Sequence, residues 1–434
     1  MMETSLLIDA AVVTDLSKKH NEPEWLLKTR LEALENASRL PLPKTEKSNI
    51  DRWNFTRFTV AEEEAGISDL NELPEDVREY VFDAGEANVL VQKNGTVLFH
   101  QATEELKQQG VIFTDLHTAA REHEELFRKY FMTEGVKKDE HRLAALHAAL
   151  FAGGMFLYVP KNVELSVPVQ ALFWLSGAEA GMLPHILVVA ENHSRVDVVA
   201  NFVSLPGEEG AVNNSVIEVF VGAGAVVRVA TVNNLGSSVV DATYRRSLVD
   251  RDGRLEWIVA DMGEGRTLSD NTVHLNGKGG SADVKAVVLG TGDMRANVTT
   301  SIHHRGEHTA SDINARSVMK DSASSILNSI TKIEKGAKKS DGQQASKVLM
   351  LNAEARGDAN PILLIDENDV VAGHAASVGR VDPLQLYYLM SRGISQAKAE
   401  QLIIRGFLDA VVSEIPSEAL RNQIHRVMER KLQR

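Results

Sequence analysis

The chain has 434 residues, 43% of them apolar, enough for two or three folded domains with a sizeable core. Its net charge of −13 argues against a nucleic-acid partner, and the absence of cysteine removes disulfides, thiolate nucleophiles and the usual iron–sulfur or zinc ligands together. No basic-plus-apolar leader is visible, and the longest apolar run, around Leu146 to Pro160, is broken by His147, Gly153 and Gly154, so no membrane span and a soluble cytoplasmic protein are expected.

Taken in order, residues 1–155 read as an N-terminal helical or mixed domain. Asn21-x-x-Glu24 with Pro23 in the first turn is a capping arrangement, and Leu27, Leu31 and Leu34 follow at helical spacing until Pro41 and Pro43 end the helix. Glu62, Glu63 and Glu64 form an acidic loop with the character of a solvated face. Thr114 and Asp115 precede a helix with Leu116, Ala119, Ala120, His123, Leu126, Phe127 and Tyr130 on one stripe. A further helix after Asp139 carries Leu143, Leu146, His147 and Leu150 and stops at Gly153-Gly154. His147, on the apolar face, reads as a hydrogen-bonded core histidine rather than a metal ligand.

Residues 156–375 form the core domain. From about Val167 to Val371 the chain breaks into short alternating runs rich in Val, Thr, Ser and Asn, among them VPVQALFWL, HILVVAE, SRVDVVANFV, SVIEVFVG, AVVRVATV, RLEWIVAD, NTVHLNG and ADVKAVVLG, all strand-like. Glycines opening these runs fall at Gly224, Gly253, Gly280, Gly306 and Gly336, with spacings of 29, 27, 26 and 30 residues. Such a period suggests stacked coils, as in a β-helix, though the turns of a β-sandwich can also space evenly. Pro206 and Pro361 bracket an interval without proline, as expected where backbone N–H groups are used in ladders. The basic run from Lys332, KIEKGAKKSDGQQASK, reads as a solvated turn between coils. An uncapped stack exposes unpaired edges at its ends.

Residues 376–434 read as a small C-terminal helical domain. Asp382 caps a helix with Pro383 at its first position, and Leu384, Leu386, Tyr387, Tyr388, Leu389 and Met390 make it apolar nearly all round, so it must be buried or bound. Arg392-Gly393 closes it, and Ser395 opens a second helix with Ile404, Phe407, Leu408, Val411, Val412 and Ile415 on one stripe. Gly406 inside that helix costs about 1 kcal/mol relative to Ala, which suggests close approach of another backbone. A third helix after Pro416 carries Leu420, Ile424, Val427 and Met428. These helices suit either sealing of the coil stack or helix-in-groove recognition.

Chemical motifs are sparse. Gly222-Ala223-Gly224 and Gly277-Lys278-Gly279 complete neither GxxxxGK[ST] nor GxGxxG and read as turns, so the chain is not expected to bind ATP itself. His303, His304, Glu307 and His308 contain metal-ligating groups, but in an extended segment His304 and His308 face one side and His303 and Glu307 the other. Asp241, Asp250, Asp252 and Asp261 support an alternative in which a β-helix carbohydrate enzyme uses paired acids in one groove.

The densest signal runs from Ala355 to Phe407, with GHAASVGRVD, then QLYYLMSRGIS, then a helix ending in RGF. This stretch resembles the SufB/SufD family of iron–sulfur cluster assembly scaffolds, as do NEPEWLLKTRLEAL and GGMFLYVPKNVEL; the likeness spans nearly the whole chain and is weakest between Ala61 and Gly110. It implies a right-handed parallel β-helix flanked by helical domains and a non-catalytic scaffold. A SufB-like paralogue is implied as partner through the β-helix, and a SufC-type ABC ATPase through the C-terminal helices. Tyr387, Tyr388, Arg392, Gly393, Ile394 and Phe407 are the candidate ATPase contacts. In SufD-like members a histidine in this block lies at the paralogue interface and is implicated in cluster formation. His374 keeps that position, as a candidate iron ligand or proton carrier, although a histidine that only satisfies the strand-to-helix junction would look the same. Any cluster would be transient at the interface, with no intrinsic cofactor; flavin binding is left open. Some members carry cysteine two residues before the histidine, where this chain has Ala372, which puts in doubt any role needing a thiol from this subunit. SufB-like chains carry a sulfur-accepting cysteine just before the proline corresponding to Pro361, and Ala355 to Asn360 contain none, so the likeness is to the SufD side. A homodimer without partners, including one with no cluster role, stays open.

Overall fold

The computed structural model describes residues 8–60, 64–82 and 87–433. Glu62 and Glu63 of the acidic loop lie outside them, while Glu64 reaches Lys93 Nζ at 2.8 Å. Helices α1 (Ala10–Lys19) and α2 (Glu24–Arg39) are followed by β1 (Thr59–Val60), α3 (Glu75–Arg78), the hairpin β2 (Asn88–Lys93) and β3 (Thr96–Gln101), α4 (Glu104–Gln108), β4 (Ile112–Asp115), α5 (Leu116–Glu122), α6 (Glu124–Tyr130) and α7 (Arg142–Leu150).

A parallel β-solenoid of about eight turns then fills the middle of the chain. One sheet stacks β5 (Gly154–Val159), β8 (His185–Ala190), β10 (Val212–Val221), β12 (Val240–Val249), β14 (Arg266–Leu275), β16 (Arg295–His304), β18 (Ser324–Ile333) and β20 (Arg356–Ile365). The facing sheet stacks β6 (Val169–Leu175), β9 (Arg195–Ser204), β11 (Val226–Asn234), β13 (Arg254–Asp261), β15 (Ser281–Gly290), β17 (Ala310–Met319), β19 (Asp341–Met350) and β21 (Val371–Arg380), with short β7 (Ala180–Met182) bridging β1 and β10. Val226 pairs with Arg254, Arg254 with Ser281, Ser281 with Ala310, Ala310 with Asp341 and Asp341 with Val371, all parallel. One strand of the other sheet separates each pair, which rules out the antiparallel sandwich and explains the even glycine spacing.

Alternation within each strand sends one set of residues inward, where Val219, Val249, Trp257, Val284 and Ile302 share one core. The outer faces are covered as well. Helices α2, α5, α6 and α7 bury one sheet's outer face against Leu187, Val216, Ala242 and Tyr244; α9 (Gln396–Val412) and α10 (Glu418–Gln433) bury the other's against Val199, Val232, Ile258 and Val287. Lys431 in α10 donates to the carbonyls of Met262, Gly263 and Leu289 and so ties the last helix to solenoid turns.

Several local expectations change. In α2 the buried stripe is Leu26, Arg30, Ala33 and Ala37 rather than Leu27, Leu31 and Leu34, and its N-cap Pro23 offers no side-chain bond. An arginine sits at the centre of this stripe because Glu22 accepts from its Nε and Nη2 (2.8 and 2.6 Å), Ala149 O accepts from its Nη1 (3.1 Å), and its guanidinium lies 3.7 Å over Phe151. The single helix expected after Asp115 breaks at His123 into α5 and α6. Helix α7 is capped by His141, whose Nδ1 accepts from Ala144 N at 3.1 Å, not by Asp139. Gly406 has no atom within 4 Å of an added Cβ, so no backbone approaches it.

Candidate functional site

The solenoid is finished differently at its two ends. At the start, β3 and β4 run antiparallel to β2 and β5, and α4 closes the lumen with Leu106 in the same core as Val111 and Phe113. His100 and Phe113, one from each border strand, touch at 4.8 Å between centroids. At the far end β20 and β21 are the last strands of their sheets. Leu364, Ile365, Val371 and Val378 there are 48%, 43%, 61% and 46% exposed, apolar side chains on unpaired parallel edges. Pro361 falls within β20, where a missing N–H is tolerated because one side of the strand has no ladder.

His374 sits in the middle of β21, paired with Gln344, which is paired in turn with Ile313. Parallel partners in register point to the same side. His374 therefore continues an interior column, but as the last member it is exposed at the mouth of the lumen. Among the described residues its ring has no hydrogen-bond partner, whereas Gln344 one coil below is buried and donates to Ile362 O at 3.2 Å. A neutral imidazole in that position can accept a metal ion or a proton.

Beyond the mouth, α8 (Pro383–Ser391) starts as expected, with Asp382 accepting from Leu384 N at 2.9 Å and Pro383 in the first turn. None of its residues is buried: Leu384 is 75%, Tyr387 70% and Tyr388 57% exposed. Arg392 stacks on Tyr388 and donates to its hydroxyl at 3.3 Å, and Gly393 turns the chain with φ 85°. Ile394 is half-buried. Phe407 lies elsewhere, packed under Arg316 of β17, whose Nη1 donates to Phe407 O at 2.6 Å. Tyr387, Tyr388, Arg392 and Gly393 thus share one exposed corner, and Phe407 belongs to the seam between α9 and the solenoid.

The remaining candidates are dispersed. His304 is buried with Thr309 and Ser311 hydroxyls 2.8 Å from its two ring nitrogens, and burial takes its pKa down to about 4. His303 faces outward beside His274, and Glu307 pairs with Lys278, so the four residues do not converge. No group of three or more His, Asp or Glu among the described residues is placed to hold a metal ion. The aspartates also part company. Asp241 and Asp261 are buried inside the solenoid, where Asp241 accepts from Asn213 and Asn233 at 2.6 and 2.5 Å, while Asp250 and Asp252 lie on an exposed turn. That division removes the shared acidic groove on which the carbohydrate-enzyme reading depended.

Two buried polar groupings escaped the sequence. Glu22 joins Arg30 and His117, the latter 3.1 Å away, and His117 Nε2 accepts from Gly153 N at 3.0 Å. Burial pushes Glu22 up, but the His117 hydrogen bond and the Arg30 charge outweigh it and hold the carboxyl at about 2. His147, Glu218 and His185 form the second; His147 is a hydrogen-bonded core histidine, with its Nδ1 2.9 Å from Asn214 O. His147 was visible in the sequence as a core histidine, as expected; the signal passed over was Glu218, a lone charge in the apolar run SVIEVFVG.

Comparison with known proteins gives two family matches, "SufBD protein N-terminal region" over residues 18–171 and "SUF system FeS cluster assembly, SufBD core domain" over residues 173–407. An iron–sulfur cluster assembly protein SufD of Bacillus subtilis is 50% identical, covering 99% of both chains. An iron–sulfur cluster assembly SufBD family protein of Staphylococcus epidermidis is 30% identical over 94% of this chain and 89% of its own length.

Proposed function

The chain belongs to the SufBD family of iron–sulfur cluster assembly proteins, and from that premise we propose that it is a SufD-type scaffold subunit whose open solenoid end pairs with a SufB-type paralogue. The observation that carries this reading is the asymmetry of the solenoid: a plugged start and a far end where β20 and β21 stop with apolar edges exposed and His374 of β21 has no hydrogen-bond partner among the described residues. A paralogue with the same coil geometry would continue both sheets and cover the lumen mouth. His374 would then face the seam between subunits, where imidazole can bind iron or hand on a proton while a cluster is assembled as transient cargo. Sulfur ligands must come from the partner, because this chain has no thiol.

The exposed corner of α8, with Tyr387, Tyr388, Arg392 and Gly393, supports docking of a SufC-type ABC ATPase, since an unpartnered aromatic and aliphatic helix suits a hydrophobic groove. In this reading catalysis of ATP hydrolysis belongs to the partner, and the complex works in the cytoplasm; no helix among the described residues is long and apolar enough to cross a membrane.

Co-purification of the chain with its paralogue and ATPase, comparing wild type with His374→Ala, tests the proposal. Assembly of both complexes, with iron and sulfide lost only from the variant, is the expected result. Failure of wild type to bind the paralogue would overturn the scaffold reading, and equal cluster content in both would remove His374 from the assembly site.

A further inference from the structure

Three titratable side chains lie end to end, fully buried, where residues 131–154 pack onto the solenoid: His147 in α7, His185 opening β8 and Glu218 in β10. His147 Nδ1 is 2.9 Å from Asn214 O, His147 Nε2 is 3.1 Å from His185 Nδ1, and His185 Nε2 is 3.0 Å from Glu218 Oε2. Their protons can be counted from the fixed end. A carbonyl oxygen only accepts, so His147 Nδ1 carries hydrogen and donates to Asn214. Neutral His147 then has a lone pair at Nε2, so His185 must donate from Nδ1. Neutral His185 in turn presents a lone pair to Glu218 Oε2, and two lone pairs at that distance repel unless the carboxyl supplies a proton.

We propose that Glu218 is a proton-binding site, whose single proton, held on the carboxyl and donated to His185, which in turn donates to His147, latches the 131–154 segment to the solenoid. The segment is built around this carboxyl. Met132 and Val136 donate their backbone N–H groups to Oε2 and Oε1 at 2.8 and 2.9 Å, and a Cβ added at Gly135 would fall 2.2 Å from Oε1. Phe131 and Phe151 pack against the His185 ring at 4.6 and 6.3 Å between centroids. The charged groups facing the chain are Arg246 and Glu140, which pair with each other at 2.7 Å, and Arg30, which pairs with Glu22. No Lys or Arg among the described residues forms an ion pair with Glu218.

Burial pushes the Glu218 carboxyl up from 4.5 to about 8, although the Met132 and Val136 bonds pull it down, and burial takes His185 from 6.5 to about 3. The signs are opposite. A raised carboxyl gives stability that is full below pH 4.5 and lost as pH climbs to about 8; a depressed imidazole gives stability lost as pH falls below 6.5. Above pH 6.5 only Glu218 of this chain still titrates, its proton leaving to bulk water and its carboxylate left facing the His185 lone pair.

Glu218→Gln removes the titration and also one acceptor, so it is expected to be less stable throughout but flatter with pH. Urea unfolding of both proteins, from pH 6.5 to 8, should show the wild-type unfolding constant rising relative to the variant's by about tenfold per pH unit. Parallel pH curves would overturn the proposal. Where the variant does not fold, NMR of wild-type protein carrying isotope-labelled histidine decides: hydrogen on Nδ1 of both His147 and His185 at pH 6.5 supports the latch, and hydrogen on Nε2 of His185 overturns it.

Discussion

At the start of the solenoid α4 fills the lumen with Leu106 beside Phe113, and antiparallel β3 and β4 border the two sheets, whereas at the far end β20 and β21 stop with Leu364, Ile365, Val371 and Val378 in solvent. Both ends face the same problem, an edge of unpaired N–H and C=O groups. At the start β3 and β4 are still outermost strands, but α4 closes the lumen beneath them; at the far end the lumen stays open, which on the proposed function is where a surface of matching geometry docks. Helix α8 extends the contrast, being apolar and unburied at the open end while α9 and α10 are pressed into the flank of the facing sheet. The lesson is that buried apolar residues at the plugged end report stability, and exposed ones at the open end, on the proposed function, report association.

Substitutions should separate the two. The largest effect is expected in the covered N-terminal layer, where Arg30→Met leaves Glu22 buried without its cation and should cost about 3–5 kcal/mol in urea unfolding. Because Glu22 is held at about 2 against an ordinary 4.5, its contribution is present above pH 4.5 and lost as pH falls toward 2; a variant lacking Arg30 should show a weaker dependence over that window. Next, Leu106→Ala at the plug should cost about 2–5 kcal/mol. At the other end, Val371→Lys with Val378→Lys should leave the isolated chain within about 0.5 kcal/mol of wild type yet abolish pairing with the paralogue in size-exclusion runs. A similar loss of stability from both ends would break the contrast.

Much of this was legible in sequence because the solenoid is periodic. Glycines recurring from Gly224 to Gly336 mark successive coils, and runs such as RLEWIVAD declare their strands by alternation. Strand β12 was harder to see, since DATYRRSLV places Arg245 inside the solenoid and Arg246 outside in a pair with Glu140 and Asp270. Charges in the interior hide a strand because their partners come from the neighbouring strands β13 and β14 rather than from the strand itself. The same blindness misplaced the α2 stripe, whose centre Arg30 is buried through Glu22, the Ala149 carbonyl and Phe151. His374 was singled out by likeness to a family block; its place in an interior column could be recognised only once the register with Gln344 was known.

Hydrogen exchange, measured on the chain alone and with the proposed SufB-type partner, tests the central claim directly. The account requires the amides of β20 and β21 to gain protection on mixing, while β3 and β4 at the plugged end do not change. Protection confined to β3 and β4, or gained nowhere in the solenoid, would contradict it.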